Sequence, residues 1–171
     1  CGTMSVGKTT LVNALKETQQ FKDYMFRTER SKFLMEQGIP LNTDSTLKGQ
    51  TVFLAERCAE LMHNDIITDR TIIDVMAFTQ NAKSIPYQDK DKFIEYAKEF
   101  IREYDYIFYI SPDGLDIEDN GVRETDEHYR DVIDFTITSF IKKYAYMMKN
   151  IETIKGSTEE RIEQILKFTS L

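Results

Sequence analysis

The sequence predicts an α/β fold, a three-layer sandwich in which helices cover both faces of a five-stranded parallel sheet. Short apolar runs alternate along the chain with longer segments of helical period, the pattern of strands joined by crossover helices. The chain has 171 residues, which suits one domain with a core large enough to hold a cleft. A glycine-rich turn at residues 2–9 leads directly into a helical segment, as at the carboxyl end of a strand in such a sheet.

The elements follow in order. Leu11, Ala14 and Leu15 form the apolar face of a helix starting near Lys8. Residues 24–26 read as a short strand, followed by a helix around 31–37 that Gly38 terminates. Thr51, Leu54, Ala55, Cys58, Leu61 and Met62 recur at helical spacing, with Asp44 or Ser45 placed to cap them. Ile66 and Ile67 make a buried strand ending at Thr68-Asp69-Arg70. Residues 72–83 are helical in pattern until Pro86 breaks it, and Phe93, Ile94, Ala97, Phe100, Ile101 and Tyr104 mark another amphipathic helix. Residues 106–110 are the clearest strand, an apolar and aromatic run stopped by Ser111-Pro112. Tyr129, Val132, Ile133, Thr136, Phe140, Ile141 and Tyr144 form the longest helical stripe. Residues 151–154 give a last strand, and Ser157 with Glu160 has capping-box spacing at the start of a final helix. No repeat, low-complexity tract or linker interrupts the series, so residues 1–171 read as one domain. The first of the five strands is expected just ahead of Gly2, in residues missing from the given sequence.

Composition narrows the function classes. Hydrophobic residues make up 41% and charged residues 30%, which excludes a disordered chain. No apolar run approaches the roughly 20 residues of a spanning helix, and no signal peptide is legible. Cys1 and Cys58 supply neither a disulfide framework nor metal-site spacing, so a reducing cytoplasm is the expected setting. A net charge of −7 speaks against a wide basic face that grips nucleic acid. It says little against a nucleotide, because backbone N–H groups hold phosphates without net positive charge.

The chemistry is concentrated in Gly2-Thr3-Met4-Ser5-Val6-Gly7-Lys8-Thr9, a complete G-x-x-x-x-G-K-[ST] motif, the P-loop of NTPases. Its glycines let backbone N–H groups of Ser5, Val6, Gly7, Lys8, Thr9 and Thr10 close around phosphates, with Lys8 adding a mobile charge. Thr9 places a hydroxyl where Mg²⁺ would sit, and the helix dipole favours the anion. ATP and Mg²⁺ are therefore the expected cofactors. Asp69, at the end of a buried strand, is placed to hold the Mg²⁺ shell or accept a substrate proton. The other reading of Asp69 is an N-cap for the helix that follows.

These residues resemble the nucleoside and nucleotide kinase branch of the P-loop fold. Asp69-Arg70 followed by Ala77-Phe78-Thr79-Gln80 is similar to a stretch of thymidylate kinases and deoxynucleoside kinases. The P-loop, Arg30 before a helix ending at Gly38, the strand at 106–110 and Asp119-Asn120-Gly121-Val122-Arg123 resemble more closely the nicotinamide riboside kinase domain of bacterial NAD regulators. The resemblance spans essentially the whole chain, and only the P-loop is highly specific. It implies a kinase that transfers the γ-phosphoryl group of ATP to a nucleoside, nucleotide or nicotinamide riboside-like acceptor. It also implies a lid at about 113–125 carrying Arg123 over the phosphates. By composition alone Arg123 is a solvated residue of an acidic loop, and Arg130 is either its helper or a surface residue. Glu29 and Arg30 fall where the acceptor pocket of such kinases begins, Glu29 as a catalytic carboxylate, with Arg70 also facing the acceptor. An exposed helix start is the plainer reading of Glu29 and Arg30. Related riboside kinases carry an acidic residue three positions before that arginine, where this chain has Arg27. An added positive charge suits a phosphorylated acceptor or a hydroxymethylated base in DNA, the variant used by phage-type kinases. A non-kinase ATPase or GTPase is the competing class, and no N-K-x-D element for guanine is present. His63 and His128 read as surface residues. Phe21, Phe33, Phe78 and Tyr87 can stack on a base or simply pack.

Overall fold

The computed structural model describes residues 1–28, 30–112 and 127–170. Helix α1 (Lys8–Lys16) leaves the P-loop with Leu11, Val12 and Leu15 buried. Strand β1 (Met25–Arg27) then runs parallel to β2 (Ile66–Thr68), pairing Met25 with Ile66 and Arg27 with Thr68. Between them lie α2 (Ser31–Glu36) and α3 (Leu47–Glu60). Gly38, at a left-handed φ of 80°, lets the chain turn so that Gly38 N–H and Ile39 N–H donate to the Met35 and Leu34 carbonyls, at 2.9 and 3.1 Å. After β2 come α4 (Ile72–Asn81), α5 (Tyr87–Ala97) and a 3₁₀ segment, Lys98–Glu103. Strand β3 (Ile107–Ile110), α6 (Glu127–Lys143), β4 (Ile151–Ile154) and α7 (Thr158–Thr169) complete the chain, with β3 and β4 parallel.

The three layers are visible in the side chains of β3. Ile107 and Tyr109 point into the larger core, which α4, α5 and α6 supply. Phe108 and Ile110 face the smaller one, with Leu11 and Leu15 of α1 and Ile165 of α7. Alternation along one strand thus separates two apolar layers. Helix α4 is the centre of the larger layer, packed against α3, α5 and α6. Ile72, Ile73, Met76 and Ala77 are all fully buried there. Each of the larger side chains contributes roughly 2 kcal/mol by leaving water.

The expected sheet has five strands. Among the described residues there are four, in two parallel pairs. Cys1 continues the parallel pattern along the edge of β3 that β4 leaves open. Its backbone N–H donates to the Phe108 carbonyl at 2.7 Å, and Ile110 N–H donates to the Cys1 carbonyl at 3.0 Å. One residue makes one bridge, which is short of a ladder.

Several boundaries differ from the sequence expectation. Strand β1 covers Met25–Arg27, and Tyr106 precedes β3. The amphipathic stripe ending at Tyr104 is α5 tightened into a 3₁₀ turn. The cap of α3 is Thr46, whose hydroxyl accepts from Gly49 N–H at 3.1 Å, rather than Asp44 or Ser45. The buried face of α3 is Gly49, Gln50, Leu54 and Arg57. Thr51, Ala55 and Met62, assigned to that face from hydropathy, are exposed. The true stripe contains an amide and a guanidinium, which a hydrophobic pattern does not register.

Helix α4 begins with a capping box. Thr71 Oγ1 accepts from Ile73 N–H at 3.2 Å, and Asp74 reaches back to Thr71 N–H at 2.7 Å. Asp74 is fully buried and does more than cap. Its Oδ1 accepts from Gly2 N–H at 3.0 Å, while the Thr71 hydroxyl donates at 2.9 Å to Oδ2, the oxygen that also takes the Thr71 N–H. Replacing Asp74 with alanine leaves those donors in a dry site without an acceptor. We expect Asp74→Ala to lower stability by on the order of 3 kcal/mol in urea denaturation, with an unchanged m value. A variant within experimental error of the parent would remove Asp74 from this role.

Candidate functional site

The P-loop conformation follows from two glycines. A Cβ at Gly2, where φ is 151°, would lie 2.8 Å from the Ile110 carbonyl oxygen, so only glycine lets the loop pass so close to the end of β3. Gly7, at φ 79°, is the N-cap of α1 and offers no side-chain acceptor to the helix amides. The first turn of α1 has no acidic residue either, so its N–H groups and dipole remain available to an anion. Lys8 is buried, and its ammonium donates to the Gly2 carbonyl at 2.8 Å and to the Thr3 carbonyl. Thr3 in turn donates from its hydroxyl to the Arg130 carbonyl at 3.1 Å, which ties the loop to α6.

Asp69 meets this loop. Its backbone N–H donates to the Arg27 carbonyl at 3.2 Å, extending the β1–β2 pairing by one residue. Its carboxylate accepts from Thr9 Oγ1 at 2.8 Å, across 60 residues of chain. Asp69 is only 3% exposed, and its other oxygen, Oδ1, is buried without a hydrogen-bond partner among the described residues. It does not cap α4, since Thr71 does. The donor set, one threonine hydroxyl and one carboxylate with a buried unfilled lone pair, fits Mg²⁺. That ion keeps several waters and takes few protein ligands. No cluster of three or more His, Cys, Asp or Glu suited to a metal occurs among the described residues.

A cleft opens past the end of β2, where Arg70 lines its wall with Phe53, Phe78, Gln50, Ser45 and Asn42. The Arg70 guanidinium stacks over the Phe78 ring at 5.1 Å. Gln50 and Ser45 are buried, and Ser45 Oγ has no hydrogen-bond partner among the described residues. The lining thus combines two aromatic side chains with amide and hydroxyl groups.

The remaining expected residues are scattered. Arg27 and Arg30 are exposed. Arg30 pairs with Glu56 at 3.3 Å and covers the Phe33 ring at 4.5 Å. Ser5, Val6 and Thr10 sit in the P-loop and the first turn of α1 as expected, with Val6 buried. Glu29, Arg123 and the expected lid at about 113–125 lie outside the described residues. Of the aromatic candidates, Phe78 lines the cleft, Phe21 is core, and Phe33 and Tyr87 are exposed. Gln50, Ser45 and Asp74 were not expected as site residues. A polar side chain on the buried stripe of α3 was the available signal for Gln50, and the T-x-x-D spacing of Thr71 and Asp74 was the signal for the capping box.

Behind the cleft, α3 carries a buried ion network. Arg57 donates to Glu60 at 2.7 Å and lies 3.9 Å from Glu56. Burial pushes the Glu60 carboxyl up to about 7 against the pull of Arg57, with Glu56 and Asp69 adding to the rise.

The sequence model of a family described as AAA domain matches residues 1–161, and the chain belongs to that family. No curated protein matches the chain. Two solved structures of deoxyadenosine kinase from M. mycoides share its fold. One, with the products dCMP and a flexible dCDP bound, has a TM-score of 0.71 at 18% identity, covering 99% of this chain and 96% of that one. The other, with bound dCTP, has a TM-score of 0.65 at 18% identity, covering 99% and 97%. Among the described residues no helix is long and apolar enough to cross a membrane.

The Glu60 shift has a sign that can be measured. The folded value near 7 lies above the ordinary 4.5, so the native state holds this proton more tightly than the unfolded chain. Its contribution is complete at low pH and is lost as pH rises from 4.5 through about 7. Glu60→Gln should therefore flatten the fall in urea stability between about pH 5 and pH 7. Parallel pH profiles for parent and variant would assign the shift to another group.

Proposed function

We propose that this member of the AAA domain family is an ATP- and Mg²⁺-dependent kinase acting on a nucleoside or nucleotide. The observation that carries the reading is the 2.8 Å bond from Thr9 Oγ1 to Asp69, made between the P-loop and the neighbour in sequence of Arg70, which lines the cleft. In this reading the phosphate and metal groups lie next to a pocket for the base. The likeness in fold to a kinase solved with dCMP, dCDP and dCTP supports a deoxynucleoside-type acceptor.

In this reading the amides of the P-loop and α1 bind the triphosphate, and Lys8 exchanges the Gly2 and Thr3 carbonyls for outer phosphate oxygens. Thr9 Oγ1 and Asp69 hold Mg²⁺, which when bound offsets charge on the transferring phosphoryl group. Phe53 and Phe78 hold the acceptor's base, Gln50 reads its polar edge, and Arg70 lies between base and phosphates. The acceptor oxygen bonds to the γ-phosphorus as the bond to the bridging oxygen breaks and ADP leaves, and a nucleoside hydroxyl gives its proton to a carboxylate, the role read for Glu29 in the sequence. Phosphoryl transfer of this loose kind depends mainly on position and charge.

The test is an acceptor screen with labelled ATP and Mg²⁺ over nucleosides, nucleoside monophosphates, nicotinamide riboside and hydroxymethylated DNA. Transfer to a free nucleoside or nucleotide is expected. ATP consumption that ignores every acceptor would favour an uncoupled ATPase, and transfer to DNA alone would move the acceptor to a polymer. Lys8→Ala and Asp69→Asn should each lower kcat about a hundredfold or more, with the fold intact by circular dichroism. Gln50→Leu should raise the acceptor KM roughly tenfold and leave the ATP KM unchanged. An unchanged acceptor KM would move the base elsewhere.

A further inference from the structure

Arg161, in the first turn of α7, is 6% exposed and lies outside every group discussed so far. Its Nη1 donates to the Val6 carbonyl at 2.8 Å, across 155 residues of chain. The same nitrogen is 3.2 Å from where a Cβ on Gly7 would be, so the end of the guanidinium lies against the Val6–Gly7 part of the P-loop. A buried arginine is ordinarily paired with a carboxylate. Arg161 makes no ion pair among the described residues, and its Nε is buried without a partner. Acids are within reach in sequence, yet Glu160 is turned back to cap α7, accepting from Ser157 N–H at 2.7 Å. Burial pushes the guanidinium pKa down, and no neighbouring charge opposes it.

The geometry of one peptide gives this contact a consequence. In a trans peptide the C=O and N–H point in opposite directions, and the described chain has no cis peptides. Holding the Val6 oxygen outward on Arg161 therefore aims the Gly7 N–H inward, toward the space the loop encloses. A buried cation with no fixed counter-charge also raises the potential there from behind the loop.

We propose that Arg161 is a positioning residue for the triphosphate: it fixes the Val6–Gly7 peptide for phosphate binding and supplies a buried charge whose partner is the ligand. The proposal rests on the P-loop kinase reading, and it deepens that reading by adding an anion-binding element from the far end of the chain. It also explains why Gly7 meets two constraints at once. The position has a left-handed φ, and a Cβ there would crowd the Arg161 guanidinium at 3.2 Å.

A structural role and a ligand-binding role predict opposite results. The measurements are titration calorimetry with MgATP and with metal-free ATP, and thermal unfolding with and without ATP, on the full chain. The variants are Arg161→Met, which removes charge and donor, Arg161→Gln, which keeps a donor, and Arg161→Lys, which keeps the charge. For Arg161→Met the ATP Kd should rise about 10- to 100-fold, the range for a lost charged hydrogen bond. The acceptor KM should not move. The ligand-free melting temperature should stay level or rise, because a buried charge without a partner has been removed. The ATP-induced rise in melting temperature should shrink. Lysine and glutamine should each restore part of the affinity. An Arg161→Met chain that binds ATP like the parent overturns the proposal. So does one that melts several degrees lower without ligand yet keeps the full ATP-induced rise, which is the signature of a purely structural contact. A parent that shows no ATP binding would sink the kinase reading first, and is distinguished from these outcomes by the parent titration alone.

Discussion

The Asp74 carboxylate accepts from Gly2 N–H, Thr71 N–H and the Thr71 hydroxyl in a site with no exposure to water. Two parts of the chain that are 72 residues apart are joined there, the entrance to the P-loop and the start of α4. Burial alone would push this carboxyl up. Lys8, Arg70 and the Thr71 N–H pull the other way, and the group is held below its ordinary range. Asp69 and Arg70 lie between the end of β2 and Thr71, so the same anchor fixes where they meet the loop. Without it, the bond from Thr9 to Asp69 would have no rigid frame.

Charge in the site is arranged locally, against a chain whose net charge is −7. Lys8 is held on the Gly2 and Thr3 carbonyls, the α1 amides face the same space, and Arg161 backs the loop. On the other side Asp69 presents a carboxylate to Thr9, and Glu60 lies further back with its proton held up to about 7. Positive groups thus lie on the P-loop side while Asp69 faces that loop from the other. In the proposed kinase reading a triphosphate with Mg²⁺ would match both, and backbone amides would do much of the holding.

Helix α3 shows how one element serves two environments. Leu54 packs into the core, whereas Gln50 and Phe53 face the cleft and Arg57 with Glu60 forms the ion network behind it. The helix is held at its start by Thr46, and Gly49 there lies close to Ile39, where a Cβ would come within 3.1 Å of that side chain. Its polar residues are costly to bury and are kept inside the fold by pairing or by facing the cleft. That is the expected mark of a functional wall rather than of a core helix.

The sequence by itself determined the phosphate loop, the alternation of strands and helices, and the place of Asp69 at the end of a strand. Each is local, because glycine conformation, helical period and a strand end depend on neighbours in the chain. The capping boxes at Thr71 and Ser157 are local in the same way. Tertiary structure alone decided that Asp74 grips Gly2, that Arg161 grips Val6, and that Gln50 and Ser45 line a cleft with Arg70. It also turned the buried face of α3 away from the one hydropathy indicated. These depend on contacts across 72 and 155 residues and on polar groups buried for what they touch. Hydropathy measures only the tendency of a side chain to leave water, so a buried amide or guanidinium is invisible to it until the fold supplies the partner.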